Sequence, residues 1–420
     1  MKKNKIIGLL SLGLLTISLA SCEISDITEF LIDSTKTETG NVSTQEDETE
    51  NEEDIVDVKD QIEDEDTKDD STDEEKDTTT PAIEDDVTSI DNKYQLLALS
   101  LYQYEEDYET LYGYQALGND TRYGKLMQDV YETFYEDAHN FLASDEDYEI
   151  YETSSFNYIV IGEYEYTKSK YTDVIASAWI TFIEENPLYY FTYTGYTVET
   201  EGSGSNTTYK FLFLGGTDYA KAEDRYKANE YVLDMINDFN SEYQALESYD
   251  DYSVAKMIHD YICNKIKYAY DNSGNASEEY WAHNILGVAY YSEGVCECYA
   301  ETYLLLSYLT DLNCLIVLGS SSGGGHVWNY VEVDGIWYGV DATWDDGDTI
   351  SYNYFLVSTY IMAEAHQANS NYSYGIDYQV TLPTLSQSSY DTSLDKVSTY
   401  KPSYPTIVFP IVYPSRRHMW

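Results

Sequence analysis

Residues 293–309 read EGVCECYAETYLLLSYL, and the way they fold decides how the rest of the chain is read. After Val295 the apolar residues Ala300, Leu304, Leu305, Tyr308 and Leu309 recur at helical spacing, and Asp311-Leu312-Asn313 ends the run. Cys296 therefore stands at or next to a helix N-terminus, where unpaired backbone N–H groups and the positive end of the dipole favour a thiolate over a thiol. Glu297 and Glu301 oppose this locally, so the helix end alone does not suffice and a base is needed. Cys298 lies two residues on, a spacing that points it to a different side of the helix. It reads as a small packed residue, since a disulfide to Cys296 is strained.

Residues 326–344, HVWNYVEVDGIWYGVDATW, supply that base. Two alternating runs meet at Asp334-Gly335, a dipeptide that favours a two-residue hairpin turn. That turn places Val333 opposite Ile336, Trp328 opposite Asp341 and His326 opposite Thr343. His326 and Asp341 then share one face as diagonal neighbours, within reach of an imidazole–carboxylate hydrogen bond. Val327, Val331, Val333, Ile336, Tyr338, Val340 and Ala342 form the opposite, core face. A one-residue bulge in either strand reverses this parity.

Cys, His and Asp in this order supply a nucleophile, a base and an orienting carboxylate. Among the other histidines, His259 falls in an amphipathic helix over VAKMIHDYICNKI (254–266) and reads as structural; His283 and His366 are rivals for the base, followed by His139 and His418. A metal site built on Cys296, Cys298 and His326 lacks the paired spacing and the four ligands of structural zinc, so no metal is expected. Cys263 and Cys314 are either buried thiols or, in an exported protein, a disulfide.

GVCECYAETYLLLSYL, GHVWNYVEVDGIWYGVDATWDD and AKMIHDYICNKIKYAYD resemble the three signature blocks of the transglutaminase-like superfamily of bacterial secreted and lipid-anchored proteins. The resemblance covers about Tyr252 to Ser358, including a final strand YNYFLVS (352–358), and ITFIEENPLYYFTYTGY (180–196) is similar to a segment that often precedes this core. It implies an α+β fold with a papain-like/transglutaminase-like core, the cysteine at a helix N-terminus packed on an antiparallel sheet. It assigns the nucleophile to Cys296, the base to His326 and the orienting carboxylate to Asp341. Cys298 stands where the family usually has glycine or another small residue.

Such a triad acts on amide bonds through a thioester, without a cofactor. Water as the second nucleophile makes a peptidase or amidase, and a primary amine makes an acyltransferase. Water is the default acceptor unless the site excludes it. The implied partner is a protein or peptide substrate, cell-wall peptide included. Two other readings fit the same residues: a non-catalytic surface module with a relic triad, and a papain-like cell-wall endopeptidase. The SSSGGG run (320–325) is expected to form a mobile loop beside the base.

Lys2, Lys3 and Lys5 precede an apolar run from Ile6 to Leu19, the pattern of a secretory signal. Its end, Leu19-Ala20-Ser21-Cys22, resembles the lipobox of bacterial lipoproteins, which implies lipidation of Cys22 and a place on the extracellular face of the cell membrane. The acidic residues of 23–91 cannot bury enough apolar surface to order the chain and read as a disordered linker. A net charge of −54 excludes nucleic acid as a partner.

From 92 to 247 a mixed helical and β region frames the core. It has helical spacing over Leu96–Leu117 and Tyr123–Leu142, strands in LYYFTYTGYTVE (188–199) and TTYKFLFL (207–214), and a loose hairpin at Gly202–Asn206. A helix from about Ala220 carries Val232, Met235, Ile236, Phe239 and Tyr243 on one face. The 47 tyrosines read mainly as core residues in place of phenylalanine. The core itself spans 248–381. The tail 382–420 carries prolines 402, 405, 410 and 414, which exclude a regular helix there.

Overall fold

The computed structural model describes residues 93–391, apart from 106, 154–155, 247, 322–323 and 370–379. The expected signal, Cys22, the acidic segment 23–91 and the tail from 392 lie outside the described residues. The chain begins with α1 (Lys93–Tyr102), α2 (Tyr112–Gly118) and α3 (Gly124–Ala143). Apolar spacing over Leu96–Leu117 suggested one helix. Asp107 divides it: its carboxylate accepts the Glu109 N–H at 3.1 Å and opens a short 3-10 turn over Tyr108–Thr110.

Strands β1 (Tyr151–Glu152) and β2 (Asn157–Tyr166), helix α4 (Thr172–Glu185), and strands β3 (Thr192–Glu201) and β4 (Thr208–Gly215) follow. The strands form an antiparallel sheet in the order β1-β2-β4-β3, with the β3–β4 hairpin where the sequence placed it. Neither β2 nor α4 was anticipated. Every residue of α4 from Val174 to Glu185 is buried, so the helix lacks the two-faced pattern that marks a surface helix. Helix α5 (Ala222–Tyr243) buries the expected stripe of Val232, Met235, Ile236, Phe239 and Tyr243.

The second half contains α6 (Asp251–Lys265), the short parallel pair β5 (Lys267–Tyr268) and β6 (Glu293–Gly294), α7 (Cys296–Tyr308), and strands β7 (Cys314–Ser321), β8 (Gly324–Val333) and β9 (Ile336–Val340). It ends with α8 (Ala342–Asp345), α9 (Thr359–Ala363) and β10 (His366–Ala368). The second antiparallel sheet runs β10-β7-β8-β9, and α7 packs on β7 and β8. Asn329 fixes that packing, donating from Nδ2 to the Ala300 carbonyl on α7 at 3.0 Å. The fold is thus α+β, with the cysteine helix lying on an antiparallel sheet.

Three local expectations change. Ser320 pairs with Gly325 and Ser321 with Gly324, so most of SSSGGG extends the β7–β8 hairpin instead of forming a loop. YNYFLVS is not a strand: Leu356 has φ +50°, and only an isolated bridge from Val357 to Gly339 joins the sheet. Ile336, read as core, is 47% exposed at the hairpin tip.

One hydrophobic cluster runs from Leu101 through α4 and α7 to Val380, so the N-terminal region and the cysteine helix share a core. Buried tyrosines give that core polar tips: Tyr303 donates to the Ala255 carbonyl and Tyr190 to Asn229, both at 2.8 Å. At the start of the tail, Ser386 bonds Trp337 and Thr359 through its backbone and Leu385 is buried, an extended strap beside β9. Among the described residues no helix is long and apolar enough to cross a membrane.

Candidate active site

Helix α7 starts at Cys296, whose lead-in is held by β6 and by the Val295 N–H donating to the Ala282 carbonyl at 2.8 Å. Cys298 points elsewhere and is fully buried. Its sulfur sits so close under the preceding segment that a methyl group at Gly287 or Gly294 would come within 2.5 or 2.6 Å of it. Burial pushes this thiol well above its ordinary pKa, so it stays protonated. The two cysteines share a helix but not an environment.

The hairpin that carries the base has Asp334 at φ +54° and Gly335 at φ +78°, the signs a type I′ turn requires. Register follows: Val333 pairs with Ile336, Val331 with Tyr338 and Asn329 with Val340, with no bulge. The ladder stops there. His326 has no strand partner at Thr343, because Asp341 leaves the sheet as the N-cap of α8, its Oδ1 accepting the Trp344 N–H at 3.1 Å.

That cap directs Oδ2 at His326, and Nε2 of the ring lies 2.7 Å away. The Cys296 sulfur also interacts with the imidazole and favours its protonated form. Burial disfavours a charged ring, but the Asp341 carboxylate and the Cys296 sulfur outweigh it and raise His326 to about 10. Burial likewise works against the Asp341 charge, yet His326 and then His366 bring that carboxyl down to about 2.

The acids that oppose a thiolate are themselves compensated. Glu297 meets His283 Nδ1 at 2.8 Å. Burial, followed by repulsion from Glu297 and Glu184, lifts Glu301 well above the usual carboxylate range, which disfavours its charged form.

The other histidines separate by their partners. His259 is fully buried between Asp260 and Asp345, at 3.2 and 3.3 Å. His283 fills its second nitrogen with the Ser277 carbonyl at 3.0 Å, and His139 stacks on Tyr102. His418 lies outside the described residues. His366 is different: from β10 its Nε2 reaches Asp341 Oδ2 at 2.8 Å, the same oxygen that His326 uses. Cys263 and Cys314 are buried free thiols.

In the sequence Asn329 was missed, and His366 was named only as a rival for the base. Asn329 left a signal, a polar side chain on the otherwise apolar face of β8. His366 left none beyond being a histidine.

No family model matches the chain. It is similar to the Kyphoscoliosis peptidase of Homo sapiens, 28% identical over 142 residues, or 29% of this chain and 21% of that protein. The Mus musculus protein of the same name is 24% identical over 188 residues, 40% of this chain and 26% of its own length. The chain thus spans about a quarter of the curated relatives it matches. Among solved structures, a TGase covers 38% of this chain and 46% of its own at 14% identity and TM-score 0.25. A candidate cysteine protease from Cytophaga hutchinsonii covers 47% and 69% at 12% identity and TM-score 0.22.

Proposed function

We propose that this chain is a cysteine-dependent enzyme that cleaves or transfers amide bonds, with Cys296 as nucleophile, His326 as general base and acid, and Asp341 as the carboxylate that orients the ring. The observation that carries the reading is the 2.7 Å contact between His326 Nε2 and Asp341 Oδ2 beside a cysteine at a helix N-terminus. The Cys296 thiolate adds to the substrate carbonyl carbon. The imidazolium of His326 gives its proton to the leaving amine, and a thioester remains. Water or a primary amine then attacks the thioester, loses a proton to His326 and releases the Cys296 thiolate. Hydrolysis is the favoured outcome, because water needs no binding site of its own. The substrate is a protein or peptide, including cell-wall peptide. We place the enzyme outside the cell, held to the membrane by lipid on Cys22.

Iodoacetamide labelling at neutral pH tests the core of this proposal. Cys296 is expected to label roughly 10-fold or more faster than a free thiol, and His326→Ala to remove the advantage. Labelling no faster than free thiol, or indifferent to His326→Ala, leaves a non-catalytic surface module. Mass spectrometry of a peptide library incubated with and without added amine, against Cys296→Ala, then separates hydrolysis from acyl transfer.

A further inference from the structure

Asp341 is held by more than the triad needs. Its Oδ2 lies 2.7 Å from His326 Nε2 and 2.8 Å from His366 Nε2, while Oδ1 takes the Trp344 N–H at 3.1 Å. The His366 side chain is completely buried, and Trp344, Trp328 and Tyr354 enclose its ring at centroid distances of 4.5, 4.9 and 5.1 Å. It reaches the site from β10, the edge strand opposite β9, so the sheet is closed over the carboxylate from both ends.

His326, Asp341 and His366 also have the make-up of a metal site, their donor atoms lying within 4.8 Å of one another. The second nitrogen of His366 decides against that use. A ligating imidazole offers a lone pair from one nitrogen and donates its other N–H to an acceptor. His366 Nδ1 is buried and has no hydrogen-bond partner among the described residues. Ligation through Nε2 would strand an N–H there, which costs more than leaving a lone pair idle. The proton therefore belongs on Nε2, aimed at Asp341.

We propose that His366 is a positioning residue, a fixed N–H donor that holds the Asp341 carboxylate and moderates its pull on His326. The inference rests on the Cys296–His326–Asp341 reading and adds a fourth member to it. Two donors share one oxygen, so each draws charge from it. Without His366, the whole charge of Oδ2 acts on His326 and ties the imidazolium's proton more tightly, a poorer acid for the leaving amine. The titratable groups around the pair are Cys296 on α7, Tyr268 on β5 and Tyr354 after α8, with Glu364 and Asp345 acting on Tyr354. Burial raises both tyrosines above their ordinary range, which disfavours their ionisation beside the pair.

The test follows the ring signals of 15N-histidine-labelled protein from pH 5 to 11, with His326→Gln identifying the His326 resonance. His366→Phe, which fills the aromatic cage but donates nothing, is expected to raise the His326 midpoint by roughly one pH unit. His366→Gln, whose amide N–H can reach the carboxylate, should restore most of the wild-type value. Unchanged His259 and His283 signals report that each variant is folded, and His366→Ala substitutes should the phenyl ring not be accommodated. A His326 midpoint indifferent to His366→Phe, or moved equally by Phe and Gln, overturns the proposal. Iodoacetamide labelling on the same samples keeps the failures apart: slow labelling of wild-type Cys296 defeats the enzyme reading, and the NMR midpoints stand or fall by themselves.

Discussion

Two buried histidine–aspartate pairs sit at opposite ends of the four-residue helix α8. Asp341 caps its start and meets His326; Asp345 closes it and meets His259. The composition is the same and the surroundings are not. His259 has an acid on each ring nitrogen, and Asp345 also accepts from Ser351 at 2.5 Å and from the Asn353 and Tyr354 N–H groups at 2.9 and 3.2 Å. Every polar atom is used, so the pair joins α6 to the segment after α8 and has nothing left with which to act. His326 has an acid on one nitrogen only, and its ring also interacts with the Cys296 sulfur. A buried histidine becomes a candidate for chemistry when its bonding is deliberately incomplete.

The largest effect is expected from breaking the open pair. Asp341→Asn replaces two acceptor oxygens by one, although N–H groups approach from both sides. With its oxygen toward the histidines, the amide N–H₂ confronts the Trp344 N–H; flipped, it confronts two imidazole donors. His326 then loses its fixed tautomer, and turnover should fall about 10³-fold or more, measured on whichever peptide the library screen yields. Activity within a few-fold of wild type would mean that the carboxylate has no part in orienting the ring.

The closed pair should respond in stability instead. Asp345→Ala strands His259 in the core and releases three other donors, a loss of about 3 kcal/mol in urea unfolding. Cys296 labelling in the folded fraction should stay within roughly twofold, since no bond from Asp345 reaches the sulfur or its base. A collapse of labelling at unchanged stability would reverse the roles assigned to the two pairs.

The open pair was legible because its geometry is local. Asp334-Gly335 fixes a turn, the turn fixes register, and register puts His326 and Asp341 on one face. The cysteine helix was legible from its apolar spacing. What the sequence could not show is where the ladder stops: continued past Val340, it would have paired His326 with Thr343, whereas Asp341 turns the chain into α8. His366 was less accessible still. It reaches Asp341 from a three-residue strand that pairs with β7 across more than forty residues of chain, and neither periodicity nor a turn motif encodes such an edge pairing. Helix α4 escaped for the opposite reason, since a helix buried on all sides has no polar stripe to reveal its period.

The pairs also differ in what alkali does to them. His326 is raised from 6.5 to about 10, with Asp341 and Cys296 outweighing burial, so its contribution to stability is complete below pH 6.5 and disappears as pH rises through 10. His259 is raised as well, hydrogen bonds to Asp260 and Asp345 outweighing burial, and its contribution is lost in the same direction. Asp341, brought down from 3.8 to about 2, acts at the other end: its share is present above pH 3.8 and is lost as pH falls toward 2. Unfolding free energy should therefore decline between pH 6.5 and 10, and His326→Gln should remove about 2 kcal/mol of that decline. The slope left in His326→Gln then belongs to the remaining groups, His259 among them. A wild-type curve flat over this interval would mean that His326 is not held as an imidazolium in the folded protein, and the proton it is proposed to give the leaving amine would have to come from elsewhere.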